Sequence, residues 1–236
     1  MQPPMTFADK VIAFNKSLAF AGTLPDGIRI MNPFRDDERV LPVSSAFYRK
    51  YYGDHQPRHL ILGINPGRFG SGVTGVAFTD PKRLKSECGI TYPGKETHEP
   101  SSVFVYEVVK AYGGPEAFYR DFYISSICPL GFTALGKNGK EVNYNYYDSR
   151  ELTAAVYDFI VASIRQQLAL GVKTDIGFCF GAGKNEKFLR QLNEEHRFFD
   201  RIIALPHPRF VMQYQSRHKP AYIDQYLAAF RQIGQR

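Results

Sequence analysis

The chain has 236 residues, 44% of them apolar, which allows a sizeable core and argues against general disorder. Lysine and arginine number 30 against 23 acidic residues, and the resulting net charge of +7 favours a polyanionic partner or an anionic substrate. Cys88, Cys128 and Cys179 are scattered without a C-x-x-C pair, which argues against a disulfide framework, a zinc site or a four-cysteine iron–sulfur cluster; the N-terminus has no signal-peptide pattern and no apolar run reaches membrane-spanning length, so a soluble cytoplasmic chain is expected.

Apolar positions at helical spacing predict a helix over 7–20, then a loop-like stretch over 21–41 and a helix from Ser44 to Tyr52 ending at Gly53. Leu60 to Leu62 is continuously apolar and reads as a buried parallel strand. It runs into Gly63-Ile64-Asn65-Pro66-Gly67, which can continue as neither strand nor helix, and into a glycine-rich loop with aromatics at Phe69 and Phe78. Residues 79–100 show no period, and a loop of that length is usually functional or mobile. Ser101-Ser102 is expected to cap a helix reaching Tyr112, and 122–129 is a second strand. Residues 130–145 read as irregular. A long amphipathic helix opens at Asp148 or Ser149 and ends at Gly171. Residues 175–180 form a third strand, a helix over 184–196 follows, residues 201–205 form a fourth strand, and a helix over 220–233 closes the chain. Strands alternating with helices predict one three-layer α/β/α domain spanning 1–236 around a four-stranded, mainly parallel sheet. The four strand ends then share one edge, where ligands of such sheets bind.

Several familiar motifs fail on detail. Gly181-Ala-Gly-Lys184 is not a P-loop, because five residues separate Gly177 from Gly183 and Asn185 stands where a magnesium-binding hydroxyl belongs. What survives is a glycine turn feeding a helix N-terminus, either a phosphate seat or a plain cap. Ser71 has no G-x-S-x-G elbow around it, and no zinc-deaminase signature is present. His207 sits between Pro206 and Pro208, so its backbone is stiff, and Arg209 and Phe210 follow at once. A cation beside an aromatic wedge suits a tip that probes nucleic acid.

Gly63-x-Asn65-Pro66-Gly67-x-Phe69-Gly70, followed by Thr74-Gly75-Val76-x-Phe78, resembles the first motif of the SMUG-type (single-strand-selective monofunctional) uracil-DNA glycosylases. His207-Pro208-Arg209 resembles the second motif of that superfamily, two residues shorter than its usual His-Pro-Ser-Pro-Arg. Cys128-Pro129-Leu130 resembles the end of the family's base-recognition strand, whose asparagine is replaced here by Ser126. The likeness covers most of 59–215 and points to the SMUG2-like bacterial branch.

The resemblance implies hydrolysis of the N-glycosidic bond of uracil, or of another deaminated or oxidised base in DNA, by base flipping, with no cofactor or metal. It implies that Asn65 positions the water and His207 donates to the leaving base. Ile64, Gly67, Phe78 and Ser126 would hold the base. Ser71, Gly181, Lys184, Arg209 and Phe210 would hold the DNA, which a monomer would engage away from any membrane. Two alternatives stand beside this reading: a catalytically silent nucleic-acid-binding domain of the same fold, and a phosphate-binding enzyme acting on nucleotides.

Overall fold

Short runs with no polar face must be covered on both sides. In the computed structural model, which describes residues 3–234, the strands in chain order are β1 (Ile28–Met31), β2 (His59–Gly63), β3 (Phe122–Ser126), β4 (Gly131–Leu135), β5 (Glu141–Tyr144), β6 (Lys173–Phe180) and β7 (Arg201–Leu205). The main sheet has the order β3-β2-β6-β7 and is parallel throughout. Every residue of β2 and β3 is buried. Side chains alternate between sheet faces along β3, and its first two residues show both layers. Phe122 packs on Phe230 of the last helix at 4.6 Å. Tyr123 packs on Phe7 of the first helix at 5.5 Å.

The helices begin where side chains can replace missing backbone partners. Thr6 and Asp9 form a reciprocal capping box for the helix Phe7–Ser17. Ser149, not Asp148, caps Arg150–Leu168 by accepting from the Leu152 N–H at 3.1 Å. Asp80 caps Pro81–Cys88, which Gly89 ends in the left-handed conformation.

Several segments differ from the sequence expectation. The first helix stops at Ser17, and residues 21–41 contain β1 and a short helix, Pro33–Asp36. The helix expected from Ser44 begins at Val40. The helix Pro81–Cys88 lies inside the stretch read as loop. Ser101 and Ser102 do not cap the next helix, which starts at Pro100; instead the Ser102 hydroxyl accepts from the Asp80 N–H at 3.1 Å. A short helix, Pro115–Asp121, precedes β3, and the second strand itself ends at Ser126. The stretch 130–145 is a hairpin, β4 and β5, which joins β1 in a three-stranded antiparallel sheet. Another helix, Pro208–Tyr214, follows His207.

All three cysteines are free and buried, and burial pushes the Cys128 and Cys179 thiols up to about 12, as expected of inert core thiols. Gly177 lies within β6, where an added Cβ would meet the Phe199 ring at 2.7 Å; it is a packing glycine. Among the described residues, no helix is long and apolar enough to cross a membrane.

Candidate active site

Because the main sheet is parallel, the carboxyl ends of β2, β3, β6 and β7 meet at one edge. The chain starts that sheet at β2 and adds strands on both sides of it, so the crevice opens past Gly63. A Cβ at Gly63 would lie 2.8 Å from the Phe78 ring, so the glycine lets that ring lie across the strand end. Phe78 itself has φ 50°, a left-handed conformation that costs a bulky residue on the order of 1–3 kcal/mol. Thr74 over-determines this turn: its hydroxyl donates to the Thr79 carbonyl at 2.6 Å and accepts from the Val76 N–H at 3.2 Å. The Phe78 ring stands 5.6 Å from that of His207 and 5.5 Å from that of Phe180.

Asn65 is tied at both ends of its amide. Its carbonyl accepts from the Tyr146 N–H at 3.1 Å, and its NH₂ donates to the Tyr144 carbonyl at 3.3 Å. The Arg68 N–H donates to the Asn143 side-chain oxygen at 3.0 Å. The hairpin that the sequence hid is therefore one wall of the site, laced to the glycine loop.

His207 is the N-cap of Pro208–Tyr214, and its Nδ1 accepts from the Arg209 N–H at 3.1 Å. That bond assigns the proton of the neutral ring to Nε2. Burial, with a smaller push from the Arg209 charge, lowers the imidazole from 6.5 to about 4. At neutral pH the ring is thus an uncharged donor.

These parts enclose a cavity of about 260 Å³, near the lower end of small-ligand sites at roughly 300–1,000 Å³. Nine of the expected residues line it: Ile64, Asn65, Gly67, Ser71, Phe78, Ser126, His207, Arg209 and Phe210. Gly181 and Lys184 are not in its wall; Lys184 reaches over the ring of Tyr147 at 5.8 Å, and Tyr147 is a lining residue. Sequence reasoning missed Glu99, Asn143, Asn145, Tyr147 and Tyr214. The asparagines were hidden by reading 130–145 as irregular. Tyr214 was legible as the i+4 partner of Phe210, had Pro208 been taken as the first residue of a helix capped by His207. The two rings lie 5.8 Å apart, with Phe210 41% and Tyr214 71% exposed. Among the described residues, no group of three or more His, Cys, Asp or Glu side chains is placed to hold a metal ion.

The family model described as "Uracil DNA glycosylase superfamily" matches residues 50–231. The chain belongs to the uracil-DNA glycosylase superfamily and is a hydrolase of N-glycosyl bonds in DNA. Among solved structures, it is similar to the wild-type SMUG2 of Pedobacter heparinus, with 62% identity over 99% of this chain and 100% of that one, at a TM-score of 0.96. No curated protein sequence matches the chain.

Proposed function

We propose that this glycosylase flips uracil, or a related damaged base, into the cavity and that the residues at the four strand ends excise it. The carrying observation is the state of His207, an uncharged Nε2–H donor held by its own backbone cap beside the Phe78 ring. In this reading Phe78 stacks on the flipped base, and the Ile64–Gly67 backbone and Ser126 meet its edge. Asn65 orients the attacking water through the second lone pair of its carbonyl. His207 donates to the uracil O2 as charge grows on the leaving base. Arg209 and Phe210 enter the gap left in the duplex, extended by Tyr214. Ser71, and further out Gly181 and Lys184, take phosphates. The protein would work as a monomer on chromosomal DNA in the cytoplasm. Incubation with a uracil-containing oligonucleotide without magnesium, followed by alkaline cleavage of abasic sites, tests the activity. Intact DNA after prolonged incubation would favour the silent-domain alternative, which no feature of the cavity supports.

The wedge makes its own prediction. Arg209→Ala should weaken excision most on double-stranded substrate, where there is a gap to fill, and least on single strands. Equal losses on both, with a shallower salt dependence of binding, would make Arg209 a simple phosphate contact.

Ser126 makes another. A uracil edge offers an N3–H donor beside an O4 acceptor, and one asparagine amide can meet both. A serine hydroxyl satisfies one, so rejection of other bases is relaxed. Ser126→Asn should narrow the base range towards uracil. Ser126→Ala should cost about 0.5–1.5 kcal/mol of transition-state stabilisation, a typical neutral hydrogen bond. Single-turnover rates on a panel of lesions decide it; a wild type that cuts uracil alone, with the ranking unchanged in Ser126→Asn, would show that Ser126 does not read the base.

A further inference from the structure

Glu99 lines the cavity, and its carboxyl group makes no hydrogen bond or ion pair among the described residues. The backbone is pinned on both sides: the Glu99 N–H donates to the Asp80 carboxylate at 2.8 Å and its carbonyl accepts from the Ser102 N–H at 3.0 Å. It occupies the N-cap position of the helix Pro100–Tyr112, yet its side chain makes no capping hydrogen bond there. The carboxyl group points instead at the glycine loop. An added Cβ would lie 1.8 Å from Glu99 Oε2 at Gly70 and 3.1 Å from Oε1 at Gly67. The loop that carries Asn65 is thus shaped around this carboxyl group, which makes no hydrogen bond or ion pair among the described residues.

Hydrolysis releases a proton from water, and the cavity offers few places for it. Asn65 is an amide. His207 already carries its proton on Nε2 and accepts an N–H on Nδ1. Burial holds the Tyr147 hydroxyl up at about 12, which makes it a donor. Glu99 is the one carboxylate among the described residues of the wall. We propose that Glu99 is a catalytic residue that takes the proton of the attacking water held by Asn65. Resting on the water-attack reading above, the step balances as follows. The water oxygen bonds to the sugar C1′ as the C1′–N bond breaks. The bonding pair leaves on the base, stabilised by His207, and the surplus proton of the water passes to the Glu99 carboxylate, which returns it to solvent.

The surroundings tune the group for the task. Burial raises its value to about 7, the Asp80 carboxylate adds to the rise, and the Arg209 charge opposes it. Asp80 is itself paired with Arg83 at 2.8 Å, and His98 Nδ1 lies 3.6 Å from it. Arg68, on the glycine loop, is turned away to the Glu141 carbonyl. A base near neutrality combines a useful ionised fraction with a real affinity for the proton.

The test is the single-turnover rate on a uracil oligonucleotide from about pH 5 to about pH 9. The wild-type rate should climb about tenfold per pH unit and level off above about 7. Glu99→Gln, of the same shape, should be slower by about tenfold or more on the plateau, lose the slope and converge with wild type at the acid end. Its affinity for an abasic duplex should hold or tighten, because an anion near DNA is removed. Gly70→Ala, which leaves every charge in place but displaces the carboxyl group, should lower the plateau too and add nothing in a Glu99→Gln background. A Glu99→Gln enzyme with the wild-type slope and plateau overturns the proposal. So does a Glu99→Gln loss matched by weaker abasic-site binding at every pH. A wild type that cuts no uracil at any pH would instead fail the glycosylase reading itself.

Discussion

Asn65→Ala is expected to lose on the order of 10²–10³-fold in single-turnover excision of uracil, while binding to an abasic duplex stays near wild type. The loss has two physical sources that a thermal melt separates. One is the water's anchor, which contributes only when the nucleophile meets a cation-like sugar and therefore appears in the chemical step. The other is the wall. Removing the amide strips the Tyr146 N–H and the Tyr144 carbonyl of their partners at 3.1 and 3.3 Å. Each buried polar group left unpaired costs about 1–3 kcal/mol. A lower melting temperature is therefore expected together with the slower rate. Asn65→Asp should not restore the wall, because a carboxylate cannot donate to the Tyr144 carbonyl. Near-wild-type excision by folded Asn65→Ala would remove Asn65 from the mechanism and leave it a brace between β2 and the hairpin.

How far the site was legible follows from how its residues are spaced. Asn65, Phe78 and Gly63 fall within one contiguous motif whose glycines and proline cannot be regular structure, so local sequence carries them. His207 is equally local, fixed by flanking prolines. The parallel sheet was legible too, because the runs Leu60–Leu62 in β2, Phe122–Ile124 in β3 and Ile176–Phe180 in β6 carry no polar alternation. What the sequence hid is non-local. β5, Glu-Val-Asn-Tyr, has one apolar aliphatic residue, and Val142 is 43% exposed, so the strand exists through pairing with β4 rather than through its own pattern. Asn143 and Asn145 therefore read as loop. Glu99 gave no signal of its own beyond lying in the stretch 79–100 that read as a functional or mobile loop. Its importance comes from a partnerless carboxyl group facing Gly67 and Gly70, some thirty residues earlier, and only tertiary contact reveals that. Lys184 was read locally, from a glycine turn ahead of a lysine, and the fold sets it outside the cavity wall, over the ring of the lining residue Tyr147.

His207→Ala is expected to lose on the order of 10²-fold or more, as removal of one preorganised donor to a developing oxyanion typically does. The geometry also fixes how the loss depends on pH. Nδ1 accepts an N–H from Arg209, so a second ring proton would face a donor, and the neutral form is enforced from about pH 4 upward. The ratio of the wild-type to the His207→Ala rate should accordingly be constant from about pH 5 to about pH 9. A ratio that is high below about pH 6.5 and falls above it would mean that the imidazolium is the working form. Stability supplies an independent check. The folded value lies below the unfolded one, so between pH 6.5 and about 4 the unfolded chain binds a proton that the native ring refuses. The ring's contribution is thus intact above pH 6.5, drains as the pH falls through that window and is spent below about 4. Two to three pH units of such linkage amount to on the order of 3 kcal/mol at full burial, and less for a ring partly open to the cavity. Glu99 has the opposite sign over part of the same range. Its folded value is raised from 4.5 to about 7, so acidification through that window favours the native state. The wild-type curve is therefore a sum, and the diagnostic is the wild-type melting profile minus that of His207→Ala. That difference should fall on acidification below about pH 6.5; a flat difference would mean that His207 titrates in the folded protein as it does in water.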